Sequence, residues 1–168
     1  MKQSDLQQLL NEFAAERLAI LKRHEAGARV VAHYDFNNAY QYVINREETH
    51  LAWLLTALTE YGAPLPAASR EIPVPAVEKT KKTAEVSAYK GIVEDDAREL
   101  GTFVARWRPR LDTMTHARHR TMLNVILGES LEHKRLFDQA AAGFEDVLGK
   151  RTGGVARQGA VLPTRWLE

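Results

Sequence analysis

Residues 39–62, AYQYVINREETHLAWLLTALTEYG, place ionisable side chains on the apolar face of one predicted helix. At roughly 100° of rotation per residue, the apolar and ionisable positions share a face about 100° wide. The members of that face are Tyr40, Val43, Glu47, His50, Leu51, Leu54, Leu58 and Tyr61. Burying an unpaired carboxylate is costly, so the chain must supply a partner for Glu47. A metal ion is one such partner.

Composition limits the classes of protein to consider. A chain of 168 residues with 45% hydrophobic content predicts a single domain. The 23 basic and 22 acidic side chains nearly cancel, so no overall field favours nucleic acid or an anionic membrane. The absence of cysteine excludes thiolate metal sites and leaves oxygen and nitrogen as ligands. There is neither a secretory signal nor a long apolar run, so we expect a cytoplasmic protein with no membrane partner.

The apolar periodicity predicts four helices. Their expected ranges are Ser4 to about His24 with Gly27 as the stop, Val31 to Tyr61, Ala84 to Trp107 with Pro109 as the break, and Leu111 or Asp112 to Leu148. Residues 62–83 hold four of the six prolines and form an extended connector. The sequence therefore predicts one all-α bundle over residues 1–148, with a long crossover between helices 2 and 3 and an irregular tail over 149–168.

The predicted second and fourth helices share an inward glutamate. Val43-Ile44-x-x-Glu47 recurs 82 residues later as Val125-Ile126-x-x-Glu129, and His133 follows on the same side. Carboxylate oxygens with one imidazole per helix suit iron or manganese.

These motifs resemble the ferritin-like di-iron carboxylate superfamily, which includes the rubrerythrins and bacterioferritins, over roughly residues 5–148. That pattern is a Glu from each of two helices plus a Glu-x-x-His from each of the other two. Glu47-Glu48-Thr49-His50 matches one Glu-x-x-His at full spacing. In helix 4 the position three after Glu129 is Glu132, and His133 comes one residue later.

The resemblance implies a ferritin-like four-helix bundle with a dinuclear iron or manganese site. It also implies, if the protein is an enzyme, an oxidoreductase that acts with dioxygen or peroxide. Because the chain has no cysteine, electrons would come from an external donor. The predicted metal ligands are Glu47, His50, Asp96, Glu129 and His133, with Glu16, Glu99 and Glu132 in reserve.

Two alternatives stay open at this point. The first is a metal-free polar network, neutralised by Arg17, in a helical bundle that acts as a partner-binding or structural protein. The second is an anion site at the arginine-rich bend around Pro109, although no nucleic-acid motif accompanies it and a solvated helix end is favoured. The two histidines His24 and His33 are expected to complement helix ends. An apolar tail, with Val161, Leu162 and Trp166, predicts a homodimer.

Overall fold

The computed structural model describes residues 3–77, 86–144 and 146–149, and every regular element within these ranges is helical. The elements are α1 (Gln3–Val30), α2 (Tyr34–Thr59), a short 3-10 helix (Val86–Tyr89), α3 (Lys90–Asp112) and α4 (Ala117–Ala141). The predicted all-α architecture with four long helices is thereby confirmed for the described part of the chain.

Gly27 does not end α1, so the predicted boundary near His24 is wrong. The helix runs on to Val30, and Gly27 is buried inside it. A Cβ atom at Gly27 would lie 3.1 Å from Cε1 of Tyr40. The glycine therefore serves the close approach of α2, whereas Gly62, with a φ of 68°, follows the end of α2 as expected.

Pro109 does not break α3, which continues to Asp112. A proline inside a helix removes one backbone hydrogen bond and strains the preceding turn. Here it lies close to the C-terminus, where Leu111 is fully buried and Arg110 pairs with Glu12 of α1 at 2.7 Å. These contacts hold the end of the helix in place. The predicted start at Ala84 lies outside the described residues.

The predicted limits of α4 are also wrong. His116 accepts a hydrogen bond from the backbone N–H of His119 and caps the start, so Leu111 and Asp112 belong to α3. The helix ends at Ala141, two residues before Gly143, whose φ is 89°. The tail residues predicted to dock on a partner lie outside the described residues.

Cross-helix contacts fix the directions of the helices. Between α1 and α3, Glu12 pairs with Arg110, Glu16 with Arg106, and Arg23 with Asp96. Between α2 and α4, Glu60 pairs with Arg118 and Arg46 with Glu129. Residue numbers rise along one helix as they fall along its neighbour, so both pairs are antiparallel. Since α1 and α2 are antiparallel through their short connection, α2 and α3 run in the same direction.

The connector after α2 crosses the outer surface of α1. The backbone N–H of Ser69 donates to the Ala15 carbonyl at 2.9 Å, and Arg23 Nη1 donates to the Pro73 carbonyl at 2.7 Å. The connector is thus attached to α1 at two points. None of the helices in the described ranges combines the length and apolar character that crossing a bilayer requires.

Candidate functional site

Glu47 lies at the centre of a polar cluster between the helices, and its side chain is fully buried. Arg17 of α1 contacts its Oε1 atom at 3.0 Å, and His24 Nδ1 donates to its Oε2 atom at 2.9 Å. Burial raises the pKa of Glu47, but the positive charges of Arg17 and His24, with the hydrogen bond from His24, hold this pKa well below its usual range. Glu47 is therefore a charged carboxylate with partners from α1.

His24 keeps its proton more tightly than an ordinary histidine. Burial lowers its pKa, but the charge of Glu47, the hydrogen bond to Glu47 and the charge of Asp96 outweigh burial, so the pKa is raised. Its other nitrogen, Nε2, lies 3.9 Å from Asp96 Oδ1. His24 thus stands between the two buried carboxylates. The predicted role at a helix end is wrong for His24, but it is confirmed for His33, which caps α2.

His50 links the buried cluster to a carboxylate at the rim. Arg17 Nη2 lies 3.2 Å from His50 Nδ1, and His50 Nε2 lies 2.9 Å from Glu129 Oε2. A guanidinium can only donate, so Nδ1 accepts and Nε2 carries the proton given to Glu129. Burial and the nearby charge of Arg17 lower the pKa of His50 to about 4. The imidazole is therefore neutral at physiological pH.

Glu129 lies at the rim of the cluster, with 29% of its side chain exposed. The prediction placed it on the buried stripe of α4 together with Val125, which is 45% exposed. The buried stripe instead contains Ser130 and His133, so the inward residue three positions before His133 is a serine. Arg46 binds both oxygens of Glu129, at 2.6 and 2.9 Å.

Asp96 of α3 is fully buried, as predicted, and has its own set of donors. Arg23 Nε donates to Oδ1 at 2.8 Å, and the Tyr40 hydroxyl donates to Oδ2. Burial and the charge of Asp96 raise the pKa of Tyr40 well above its usual value, so the phenol keeps its proton and remains a donor. Tyr40 therefore satisfies the aspartate from the opposite side of the core.

His133 is buried beside Glu47, but its Nδ1 atom stays 3.8 Å from Glu47 Oε1, which is beyond hydrogen-bond range. Burial lowers the pKa of His133. Four buried side chains of the cluster keep nitrogen atoms without a hydrogen-bond partner in the described residues: Nε and Nη1 of Arg17, Nη2 of Arg23, Nε2 of His24 and Nδ1 of His133.

The three reserve carboxylates do not enter the cluster. Glu16 accepts hydrogen bonds from Trp107 Nε1 at 3.0 Å and from Arg106 at 2.7 Å. Glu99 pairs with Arg70, and Glu132 lies 3.6 Å from Arg135. Each faces a helix seam or the surface, so none of them completes a ligand set with Glu47.

The six predicted carboxylate ligands thus share one property, which is an arginine partner. The pairs are Glu47–Arg17, Asp96–Arg23, Glu129–Arg46, Glu16–Arg106, Glu99–Arg70 and Glu132–Arg135. In the part of the chain that the structure describes, no three His, Asp or Glu side chains are grouped so that they could hold a metal ion. The carboxylates of Glu47, Asp96 and Glu129 are therefore already paired with cations of the chain.

Arginines at the Pro109 bend are likewise largely occupied. Arg106 and Arg110 pair with glutamates of α1, Arg118 pairs with Glu60 of α2, and Arg120 donates to the Met114 carbonyl. Because these four arginines are already paired, they do not form the group of free cations that an anion site at this bend would need.

Sequence reasoning missed Arg23, His24 and Ser130 as members of the cluster. A signal for His24 was present, because Arg17 and His24 are seven residues apart and so share a helical face. Placing the end of the helix at His24 concealed this relation.

Comparison of the chain with protein-family models, with curated proteins and with solved structures found no match.

Proposed function

We propose that the chain is a ferritin-like bundle whose central acids are neutralised by arginines in place of metal ions, and that it serves as a partner-binding or structural protein. The observation that carries this proposal is that an arginine accompanies each of the six candidate carboxylates. An arginine cannot lose its proton in a protein, so its charge stays in the cluster at every physiological pH.

The helix directions support the ferritin-like part of this proposal. With α2 and α3 running the same way, the chain must return along the bundle between them, which is the single long crossover of ferritin-like folds. Glu47 and His50 on α2, Asp96 on α3 and His133 on α4 all lie in the buried interior. These are positions where the superfamily carries ligands, and Arg17 supplies a cation from α1.

Charge balance supports the metal-free part. The carboxylates of Glu47, Asp96 and Glu129 are offset by the guanidinium groups of Arg17, Arg23 and Arg46. A divalent cation at Glu47 or Asp96 would have to displace Arg17 or Arg23, which are buried, and an isolated buried guanidinium is strongly unfavourable. The cluster is therefore electrostatically complete before any metal binds.

A second candidate function is the iron or manganese oxidoreductase, with an external electron donor. The observation that favours it is the unpartnered imidazole nitrogen of His133, Nδ1, which lies buried beside Glu47. An imidazole nitrogen without a proton is a good ligand for these metals. This function stays a prediction.

Thermal unfolding separates the two candidates. A ligand that binds only the folded state, at about 100 times its dissociation constant, adds about 2.7 kcal/mol to stability. We expect the same melting temperature in chelator, in Mn(II) and, without oxygen, in Fe(II). A rise with metal in the wild type that disappears in Glu47→Gln would favour the oxidoreductase.

A further inference from the structure

The connector after α2 forms an arch over the outer face of α1. Its two attachments, Ser69 to Ala15 and Pro73 to Arg23, are eight residues apart on the helix and four apart on the connector. Residues 69–73 are therefore attached to α1 at both ends, and Ile72 between them packs against the core.

Small side chains leave a cavity beneath this arch. Ala19 and Ala26 lie seven residues apart on one face of α1, and Ala67 and Ala68 face them from the connector. Together with the side of Ile72 they bound a cavity of about 470 Å³. Cavities of this size are typical of small-molecule sites, for which a range of about 300–1,000 Å³ is common.

Basic side chains line the same cavity. Lys22, Arg23 and Arg70 contribute to its wall, and Glu71 is the one acidic residue among those that line it. Arg23 is 1% exposed, with Nε on Asp96 and Nη1 on the Pro73 carbonyl, while its Nη2 atom has no hydrogen-bond partner among the described residues. A buried donor without an acceptor costs free energy, and a ligand oxygen would recover it.

We propose that the arch cavity, defined by Ala19, Lys22, Arg23, Ala26 and residues 67–72, binds a small organic anion. The ligand carries one carboxylate or phosphate group, which accepts from Arg23 and pairs with Lys22, and a short aliphatic body that packs on the alanines. Lys22 is exposed and has no ion pair in the described ranges, so its charge is available. This inference does not rest on the proposed function, because it uses the Nη2 atom of Arg23 and not the Nε atom that binds Asp96.

Isothermal titration of the full chain tests the proposal with three probes: butanoate, butyl phosphate and inorganic phosphate. At least one of the two organic anions is expected to bind saturably with a dissociation constant below about 1 mM. Inorganic phosphate is expected to bind at least about 10-fold more weakly, because it lacks the aliphatic body. The comparison of butanoate with butyl phosphate identifies which acidic group the cavity prefers.

Two variants locate the binding. Lys22→Ala is expected to weaken it about 10-fold, and Ala26→Phe, which fills the cavity, to abolish it. Lys90→Ala is the matched control, because Lys90 is exposed and does not line the cavity, and this variant should bind as the wild type does. Lys22→Ala changes an exposed side chain and should fold. If Ala26→Phe fails to fold, Lys22→Ala alone tests the proposal. Absence of saturable binding, or equal binding by Lys22→Ala and the wild type, would overturn the proposal.

Discussion

Replacing Arg17 with leucine should remove one of the two cations that keep Glu47 charged in the core, and leave His24 as the other. Arg17 and Glu47 are 3.0 Å apart and both fully buried. At an effective dielectric constant of about 20, charges at that separation attract by about 5 kcal/mol. Loss of one partner from a buried ion pair typically costs about 3–5 kcal/mol, and we expect Arg17→Leu to lose that much free energy of unfolding at pH 7.

Equilibrium urea unfolding, followed by circular dichroism, measures this loss. Arg106→Leu is the matched control, because the Arg106–Glu16 pair also joins α1 to a neighbouring helix, but Arg106 is 61% exposed. Exposed pairs contribute about 0–1 kcal/mol, so the control should remain close to the wild type. The double variant Arg17→Leu/Glu47→Leu removes both charges and should be more stable than Arg17→Leu by about 2 kcal/mol or more.

The deficit of Arg17→Leu should also depend on pH. Without the guanidinium, only His24 opposes burial, so the folded-state pKa of Glu47 is higher than in the wild type. The deficit should be complete at pH 7 and should fade as the pH falls far enough to protonate Glu47 in the variant. A loss no larger than that of Arg106→Leu, or a double variant no more stable than Arg17→Leu, would refute the reasoning.

Three further changes test other parts of the structure. The pKa of His50 is about 4 in the folded state, so its contribution to stability is present above pH about 6.5 and is lost as the pH falls from there to about 4. In His50→Asn, the free energy of unfolding measured in urea should depend less on pH over that range. Gly27→Ala should destabilise the fold by about 1–2 kcal/mol despite the better helix propensity of alanine, because the new Cβ meets Tyr40 at 3.1 Å. Gly128→Ala, with open space around it, should stabilise the fold by up to about 1 kcal/mol. Equal shifts in melting temperature would contradict this. Tyr40→Phe removes a hydrogen-bond donor from buried Asp96 and should lower the free energy of unfolding in denaturant by about 1–3 kcal/mol. Tyr34→Phe, at a 76% exposed position, is the control and should change it little. Equal effects in the two variants would argue against the hydrogen bond.

The sequence was sufficient to predict the helices and most of the buried polar residues. Apolar periodicity placed Glu47, His50, Asp96 and His133 in the interior, and all four are buried. The alternative of a metal-free network named Arg17 as the neutralising cation, and Arg17 contacts Glu47. Periodicity succeeds here because each residue's angle around its own helix decides whether it is inside.

What lay beyond the sequence was the pairing of charges between helices. The contact of Asp96 with Arg23 joins residues 73 apart, and that of Glu129 with Arg46 joins residues 83 apart. Such pairs depend on how the helices are rotated and shifted against one another, which no single helix reveals. The observed orientation of α4 differs from the predicted one by a small rotation about the helix axis, so Glu129 lies at the rim and Ser130 lies inside.

The most direct measurement is the metal content of the protein after reconstitution with Fe(II) or Mn(II) without oxygen, removal of unbound metal, and elemental mass spectrometry. Glu47→Ala and Glu129→Ala serve as companions. If arginines neutralise the carboxylates, the metal content of all three proteins should be far below about one ion per chain. About two ions per wild-type chain, lost in both variants, would contradict it and favour the dinuclear oxidoreductase.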